Sequence, residues 1–302
     1  MKNNSNSSRR KFLQQLGATS LVTASAPFIS LGAQEKAEER ILHYERKISS
    51  NDTIRIGVIG YGVQGHFDLT TALKVPGVEL AGICDLYTGR LENAKEQFGN
   101  DLFVTKNYKD LLDRPDIDAV LICSVDVWHA QMTLDALAKG KHVYVEKPMI
   151  YEISEGYPVM EAAKKSGKIV QVGSQRVSSI GYQKAKELLA AGEIGELNMV
   201  NAVYDRQSSI GAWQYTIPKD ASPETTSWEK YIEITDKMEF DPKKFFWWRA
   251  FKEVGTGVAG DLFIHLLSGT HVITGSKGPE SIFSTGQLSY WNDGRNLPDV
   301  MS

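Results

Sequence analysis

Cysteine is scarce. Cys84 and Cys123 are the two in 302 residues, which excludes a disulfide framework. Both lie near the ends of apolar runs, as small buried residues of neighbouring strands do. A catalytic thiol has nothing nearby to support it. An excess of one charge sign is also missing. The net charge of −3 leaves no electrostatic footprint for nucleic acid. No basic cluster follows the first dozen residues, so no polybasic membrane patch is expected. Long apolar runs are absent too: the stretch from Leu16 to Leu31 is interrupted by Gly, Thr, Ser and Pro, too weakly apolar to span a bilayer comfortably. What remains is a globular composition, 42% hydrophobic and 24% charged, in a chain long enough for two ordinary domains.

The beginning of the chain differs from the rest. Asn and Ser crowd the first eight positions, followed by Ser8-Arg9-Arg10-Lys11-Phe12-Leu13. Leu31-Gly32-Ala33 supplies the small residues that precede a cleavage site. The paired arginines before Phe-Leu resemble a twin-arginine export signal. An ordinary secretory signal and a lipid-free anchor are the alternatives. Residues 1–33 are therefore expected to be a signal peptide, and the mature protein to be periplasmic and free of the membrane. The twin-arginine machinery would be a partner. That route carries folded proteins, which suits an enzyme that loads a cofactor before export. Residues 34–52 are charged, lack apolar periodicity and read as a linker.

From Thr53 strands alternate with helices. Strands are expected at Ile54–Ile59, Val78–Cys84, Asp118–Cys123, His142–Val145 and Ile169–Val172. Helices are expected at Gln64–Lys74, Thr88–Phe98, Val127–Lys139 and Ile153–Ser166. The alternation predicts an α/β fold with a parallel sheet covered on both faces. After Gln175 the rhythm changes. A helix is expected from Gly181 to Ala191, a strand at Glu196–Tyr204, a helix from Gly260 to Thr274 and a strand at Glu280–Ser289. Between them, 207–254 is long, irregular and rich in aromatics, and a loop of that length is usually functional. The domains expected are 53–174 and 175–302.

Gly60-Tyr61-Gly62-Val63-Gln64-Gly65 follows a strand and opens a helix, the context that a dinucleotide turn requires. Gly60 permits the turn, Gly62 lets the backbone approach a pyrophosphate, and Gly65 allows close helix–strand packing. Asp85, at the end of the second strand, stands where an acid bonds the ribose 2′-hydroxyl. An acid there favours NAD over NADP, although nearby Arg90 blurs the inference.

Three further segments carry candidate chemistry. Glu146-Lys147-Pro148 follows a strand, and ligands of open parallel sheets sit beyond strand carboxyl ends. Lys147 can donate to a substrate hydroxyl, and Pro148 restricts its backbone and admits a cis bond. From spacing alone, a charged turn explains the tripeptide equally well. His129 opens a helix, where it lines the cofactor cleft or simply caps and packs. Asp261 and His265 are four apart and share a helix face. The pair suits a general base oriented by an acid, or else a helix-start acid with a structural histidine. A metal site adding His271 fails because the third ligand lies on another face.

Together these segments resemble the glucose–fructose oxidoreductase, inositol dehydrogenase and Gfo/Idh/MocA family, in motif order and separation, from Ile54 onward. The resemblance implies a Rossmann domain followed by an α/β domain on a large open, mainly antiparallel sheet, and a homo-oligomer for a full-length chain. Members usually continue past Pro298-Asp299-Val300-Met301-Ser302, so that sheet is expected to be incomplete and to expose an edge. It implies that Lys147, Asp261 and His265 converge on a carbohydrate hydroxyl beside the nicotinamide. His265 would accept the hydroxyl proton, Lys147 would polarise the oxygen, and Asp261 would hold His265 or a neighbouring hydroxyl. Glu146 would lie near the nicotinamide ribose. Arg176, Trp248 and Arg249 are candidate sugar contacts, and the aromatics at 245–248 suit the apolar face of a pyranose. Three functions fit: an NAD-dependent oxidoreductase, a glycoside hydrolase that recycles NAD through transient oxidation and elimination, and a non-catalytic sugar-binding protein.

Overall fold

The computed structural model describes residues 52–302. The expected signal peptide and nearly all of the expected linker lie outside the described residues. Six parallel strands form one sheet: β1 (Ile54–Ile59), β2 (Val78–Cys84), β3 (Phe103–Thr105), β4 (Ala119–Ile122), β5 (His142–Glu146) and β6 (Val170–Gly173). Their order is β3-β2-β1-β4-β5-β6. The order reverses beside β1, and ligands of such sheets bind at that crevice.

The helices that connect these strands are α1 (Val63–Ala72), α2 (Thr88–Phe98), α3 (Tyr108–Leu112), α4 (His129–Ala138) and α5 (Gly156–Ser166). Strand alternation divides the core between the two faces. Ile56, Val58, Ile83 and Leu121 pack on one side, while Ile59, Val120, Ile122 and Val145 pack on the other. Expectation and structure agree closely here, except that β3 and α3 were not foreseen. Both are very short. The local signal was Asn107, whose side chain accepts the Lys109 N–H at the start of α3. Cys84 and Cys123 are free; Cys84 ends β2 and Cys123 follows β4, so they lie on either side of β1 rather than on adjacent strands. Burial raises both thiols, so neither is poised as a thiolate.

Beyond β6 come α6 (Ile180–Ala190), α7 (Trp228–Tyr231), α8 (Pro242–Phe246) and α9 (Ile264–Thr274). The strand expected at Glu196–Tyr204 does not form. Val200 and Val203 are exposed there, and an extended segment without a hydrogen-bonded neighbour is not a strand. The expected large antiparallel sheet is represented, among the described residues, by a two-stranded ribbon of β7 (Gly286–Gln287) and β8 (Val300–Met301). The aromatic stretch 207–254 is no open loop. Trp228, Tyr231, Phe245, Phe246 and Phe251 join the core on the face that holds Tyr108, Trp128 and Met132. Trp128 Nε1 donates to the Tyr231 carbonyl at 2.9 Å, and the Thr88 N–H donates to the Thr225 carbonyl at 2.9 Å. The aromatics expected to stack on a sugar are thus partly core: Phe245 and Phe246 are buried because they fill the groove above the sheet. No helix among the described residues is long and apolar enough to cross a membrane.

Candidate active site

The glycine turn has the geometry that its sequence requires. Gly60 sits at φ +93, and a Cβ there would stand 2.5 Å from the Cys123 carbonyl oxygen. A Cβ on Gly65 would lie 1.9 Å from the Gly60 carbonyl oxygen, so α1 can approach β1 only without one. Gly62 is the N-cap of α1, no side chain caps it, and the first turn holds no acid. Its N–H groups are left for an oxyanion.

Beside this turn is a cavity of about 280 Å³, walled by Ile59, Gly60, Asp85, Leu86, Ser124 and Val125 from three strand ends. The residues present fit an adenosine dinucleotide: an uncapped helix start for the phosphates, an apolar slot and an acid at its edge. Asp85 is buried and accepts the Tyr61 N–H at 2.7 Å and the Tyr87 N–H at 2.9 Å. Arg90 lies 3.3 Å from the same carboxylate, facing Gly62, with its guanidinium over Phe245 and Phe246. The carboxylate retains lone-pair capacity for a hydroxyl.

Lys147 and Asp261 meet across 114 residues of sequence. Lys147 Nζ donates to Asp261 Oδ1 at 2.6 Å and to the Asp261 carbonyl at 3.0 Å. The peptide bond Lys147–Pro148 is cis. Arg249 Nε donates to the same Oδ1 at 2.8 Å, and Trp213 Nε1 donates to Oδ2 at 3.1 Å. Burial alone would raise this carboxyl, but Arg249 and Lys147 outweigh it and hold Asp261 well below the usual carboxylate range.

His265 is buried beside this cluster, its ring stacked on Tyr204 with centroids 6.5 Å apart. Burial and then the Lys147 charge lower its pKa, with Asp261 opposing, so the imidazole is neutral at pH 7. Asp261 does not hydrogen-bond His265, contrary to the expected acid–base pair. Residues Ala259–Phe263 form a π-helical turn rather than α-helix. The widened turn changes the angular offset that spacing of four implies and directs Asp261 to Lys147, Arg249 and Trp213. A Cβ on Gly260 would lie 1.8 Å from Thr256 Oγ1, so this turn also depends on glycine.

Two expected cofactor contacts are engaged by protein groups. His129 is fully buried, with Nδ1 2.7 Å from the Pro148 carbonyl oxygen and Nε2 3.1 Å from that of Ser124. It ties the segment after β4 to the one after β5 and presents no polar atom to a ligand. Glu146 is also buried. Its Oε2 accepts the Lys147 N–H at 3.2 Å, and its Oε1 accepts the Tyr144 hydroxyl at 3.2 Å. Burial and the Asp68 carboxylate on α1 push Glu146 up to about 7. An acid raised in the folded state destabilises that state once ionised. The penalty is absent below the ordinary value, grows as pH rises and is complete above about 7. Glu146→Gln should therefore stabilise the protein by about 1–3 kcal/mol at about pH 8 and by much less at about pH 4.5. Thermal unfolding at both pH values checks this, and an equal shift at both would refute it.

Sequence reasoning missed several members of the site. Asp126 is buried and accepts both the N–H and the hydroxyl of Thr256, at 2.9 and 2.5 Å, which anchors the entry to the π turn. Arg206 Nη1 lies 3.8 Å from Asp261 Oδ2. Trp213 adopts a positive φ of 61, as does Arg176 at 72, already a candidate sugar contact from the sequence, and non-glycine residues rarely do so. Arg206 and Trp213 lie at irregular positions without periodicity, and Asp126 opens a short 3-10 turn.

Comparison with known proteins bears on the dinucleotide-binding part of the chain. Residues 54–174 match the GFO_IDH_MocA family, described as an oxidoreductase family with an NAD-binding Rossmann fold. An inositol 2-dehydrogenase of Salmonella paratyphi B is 30% identical over 190 residues, 62% of this chain and 54% of that protein. A glycosyl hydrolase family 109 protein of Shewanella baltica is 30% identical over 245 residues, 74% of this chain and 50% of that protein. The chain spans about half the length of these curated relatives. The crystal structure of an NAD-binding protein from Listeria innocua superposes with a TM-score of 0.51 at 24% identity, covering 72% of this chain and 54% of that one, a likeness of fold alone. Over residues 54–174 the chain is thus similar to the NAD-binding Rossmann domain of that oxidoreductase family.

Proposed function

We propose that this protein is an NAD-dependent oxidoreductase acting on a hydroxyl-bearing carbon of a sugar, polyol or glycoside. The observation that carries the reading is the meeting of Lys147, Asp261 and His265 past the end of β5, two strands from the glycine turn. The residues that would hold the dinucleotide are Gly60, Gly62 and Gly65 with the start of α1, and Asp85 with Arg90 at the ribose. NAD, when bound, accepts the hydrogen that leaves the substrate carbon with its electron pair. Asp85 argues for NAD rather than NADP, since a 2′-phosphate would face its buried carboxylate.

Lys147 has three N–H donors, and Asp261 engages two of them. The third is left to polarise a substrate oxygen. His265, neutral at pH 7, accepts the hydroxyl proton. Asp261 acts through Lys147, holding the ammonium in place. A leader of twin-arginine type supports loading of cofactor before export to the periplasm, and by family resemblance the full-length protein is a homo-oligomer.

A second reading is favoured by the more extensive match to the family 109 glycosyl hydrolase: the same residues would serve a cycle in which the electrons of one ring carbon would pass to bound NAD, the aglycone would leave by elimination, water would add to the double bond, and return of the electrons to the ketone would restore the cofactor. Purified protein should retain or bind NAD(H), read by absorbance and fluorescence. With a panel of sugars and glycosides, net NADH formation supports the oxidoreductase, and sugar release without net NADH supports the hydrolase. Failure to bind any dinucleotide would overturn both.

A further inference from the structure

The proposed substrate site has an unbalanced charge. Three cationic side chains gather around one carboxylate: Lys147, Arg249 and Arg206 approach Asp261 at 2.6, 2.8 and 3.8 Å. Arg176 follows, its guanidinium 5.4 Å from the centroid of the Tyr204 ring that stacks on His265. Of the charged groups that act on His265, three are cations, Lys147, Arg176 and Arg206, and Asp261 opposes them. Lys147 also faces Glu146 and Arg249 also faces Asp126, so of these cations those that make no hydrogen bond to a carboxylate among the described residues are Arg206 and Arg176.

The imbalance is confined. Lys147 and Arg249 are engaged by Asp261, whose other oxygen accepts the Trp213 N–H. Arg206, at 3.8 Å, is beyond hydrogen-bonding distance of that oxygen, and its fork of donors remains open. Its side chain is only 28% exposed, so water does not fully solvate the charge. Arg176 makes one long contact, 3.4 Å to the Tyr204 hydroxyl, and is held at φ 72. A strained backbone beneath a guanidinium that has no carboxylate partner among the described residues, at a proposed substrate site, points to a ligand. A neutral sugar would leave both forks unmatched, whereas an oxyanion matches their planar geometry.

We propose that the substrate is an anionic sugar, bearing a carboxylate or a phosphate, whose charge is received by Arg206 and Arg176 while its reacting hydroxyl meets Lys147 and His265. The inference rests on the oxidoreductase reading of the same site. Protein saturated with NADH is titrated calorimetrically with glucuronate, galacturonate and glucose 6-phosphate, and with glucose and galactose as neutral counterparts. At least one anionic probe should bind about ten- to a hundredfold tighter than its counterpart. The tighter class separates a carboxylate sugar from a phosphate ester. Arg206→Gln and Arg176→Gln should each reduce that ratio several-fold, with NADH affinity unchanged. No anionic advantage, including no binding by any probe, overturns the inference, as does an advantage that survives in the double variant. NADH binding is read separately by fluorescence. Its failure counts against the oxidoreductase reading, and the probe ratios measured without cofactor still decide the charge.

Discussion

Asp261→Ala is expected to lower folding stability by about 3–5 kcal/mol, because it strands buried cations. Lys147 is 9% exposed and Arg249 21%, and both point at Asp261 Oδ1. Without the carboxylate, neither has another acid within salt-bridge distance among the described residues, and the Trp213 N–H loses its acceptor. Asp261→Asn should lose less, since one amide oxygen still accepts a donor and the Asp261 carbonyl still receives Lys147. The pH dependence has a definite sign. Asp261 has a folded pKa below its ordinary value. Its contribution is therefore present above about pH 4 and is lost only as pH falls further, through the folded value. The gap between wild type and Asp261→Asn should be flat from about pH 5 to 8 and close in stronger acid. Urea unfolding at several pH values measures this. A cost below about 1 kcal/mol for Asp261→Ala would mean that water reaches the cluster freely.

The same cluster marks where sequence reading stops. β1, β2 and their glycine turn are legible because alternation, glycine placement and the acid at Asp85 agree with one another at short range. Gly60 and Gly65 could be assigned roles because a side chain is sterically impossible at each. Lys147 and Asp261 were readable as separate candidates, but not as a salt bridge joining residues 114 apart. Spacing of four between Asp261 and His265 suggested a hydrogen-bonded pair only if the helix is α throughout. The π turn at Ala259–Phe263 breaks that assumption, and it depends on the contact of Gly260 with Thr256 and of Thr256 with Asp126. His129 shows the opposite limit. Its position at a helix start fits a ligand contact and a support equally, and burial decides between them. Arg206 and Trp213 lie in chain with no periodicity, so only tertiary structure brings them into the site.

His265→Ala is expected to reduce turnover by about 10²–10⁴-fold while leaving NAD(H) affinity nearly unchanged, because in the proposed mechanism no other group can take the proton. Lys147 is held as a donor by the Asp261 carboxylate, and Asp261 itself is too weak a base and fully engaged. Burial and the positive charge of Lys147 keep His265 neutral at pH 7, with Arg176 and Arg206 acting in the same direction. A base with a lowered pKa predicts a rate that is flat through neutral pH and declines on the acid side, below the ordinary histidine value of about 6.5. Arg206→Gln removes one of these positive charges, so it should move the acid limb toward higher pH. Substitution of His265 should abolish that limb altogether. With whichever sugar supports cofactor-dependent turnover, kcat/KM against pH distinguishes a proton acceptor from a packing residue. A purely structural histidine would leave the position of the acid limb intact in His265→Ala and lower the whole profile uniformly. Lys147→Met provides the complementary test: loss of the donor should depress kcat/KM strongly, yet the acid limb should persist and move to higher pH, because His265 then has one cation fewer beside it while Asp261 remains paired with Arg249.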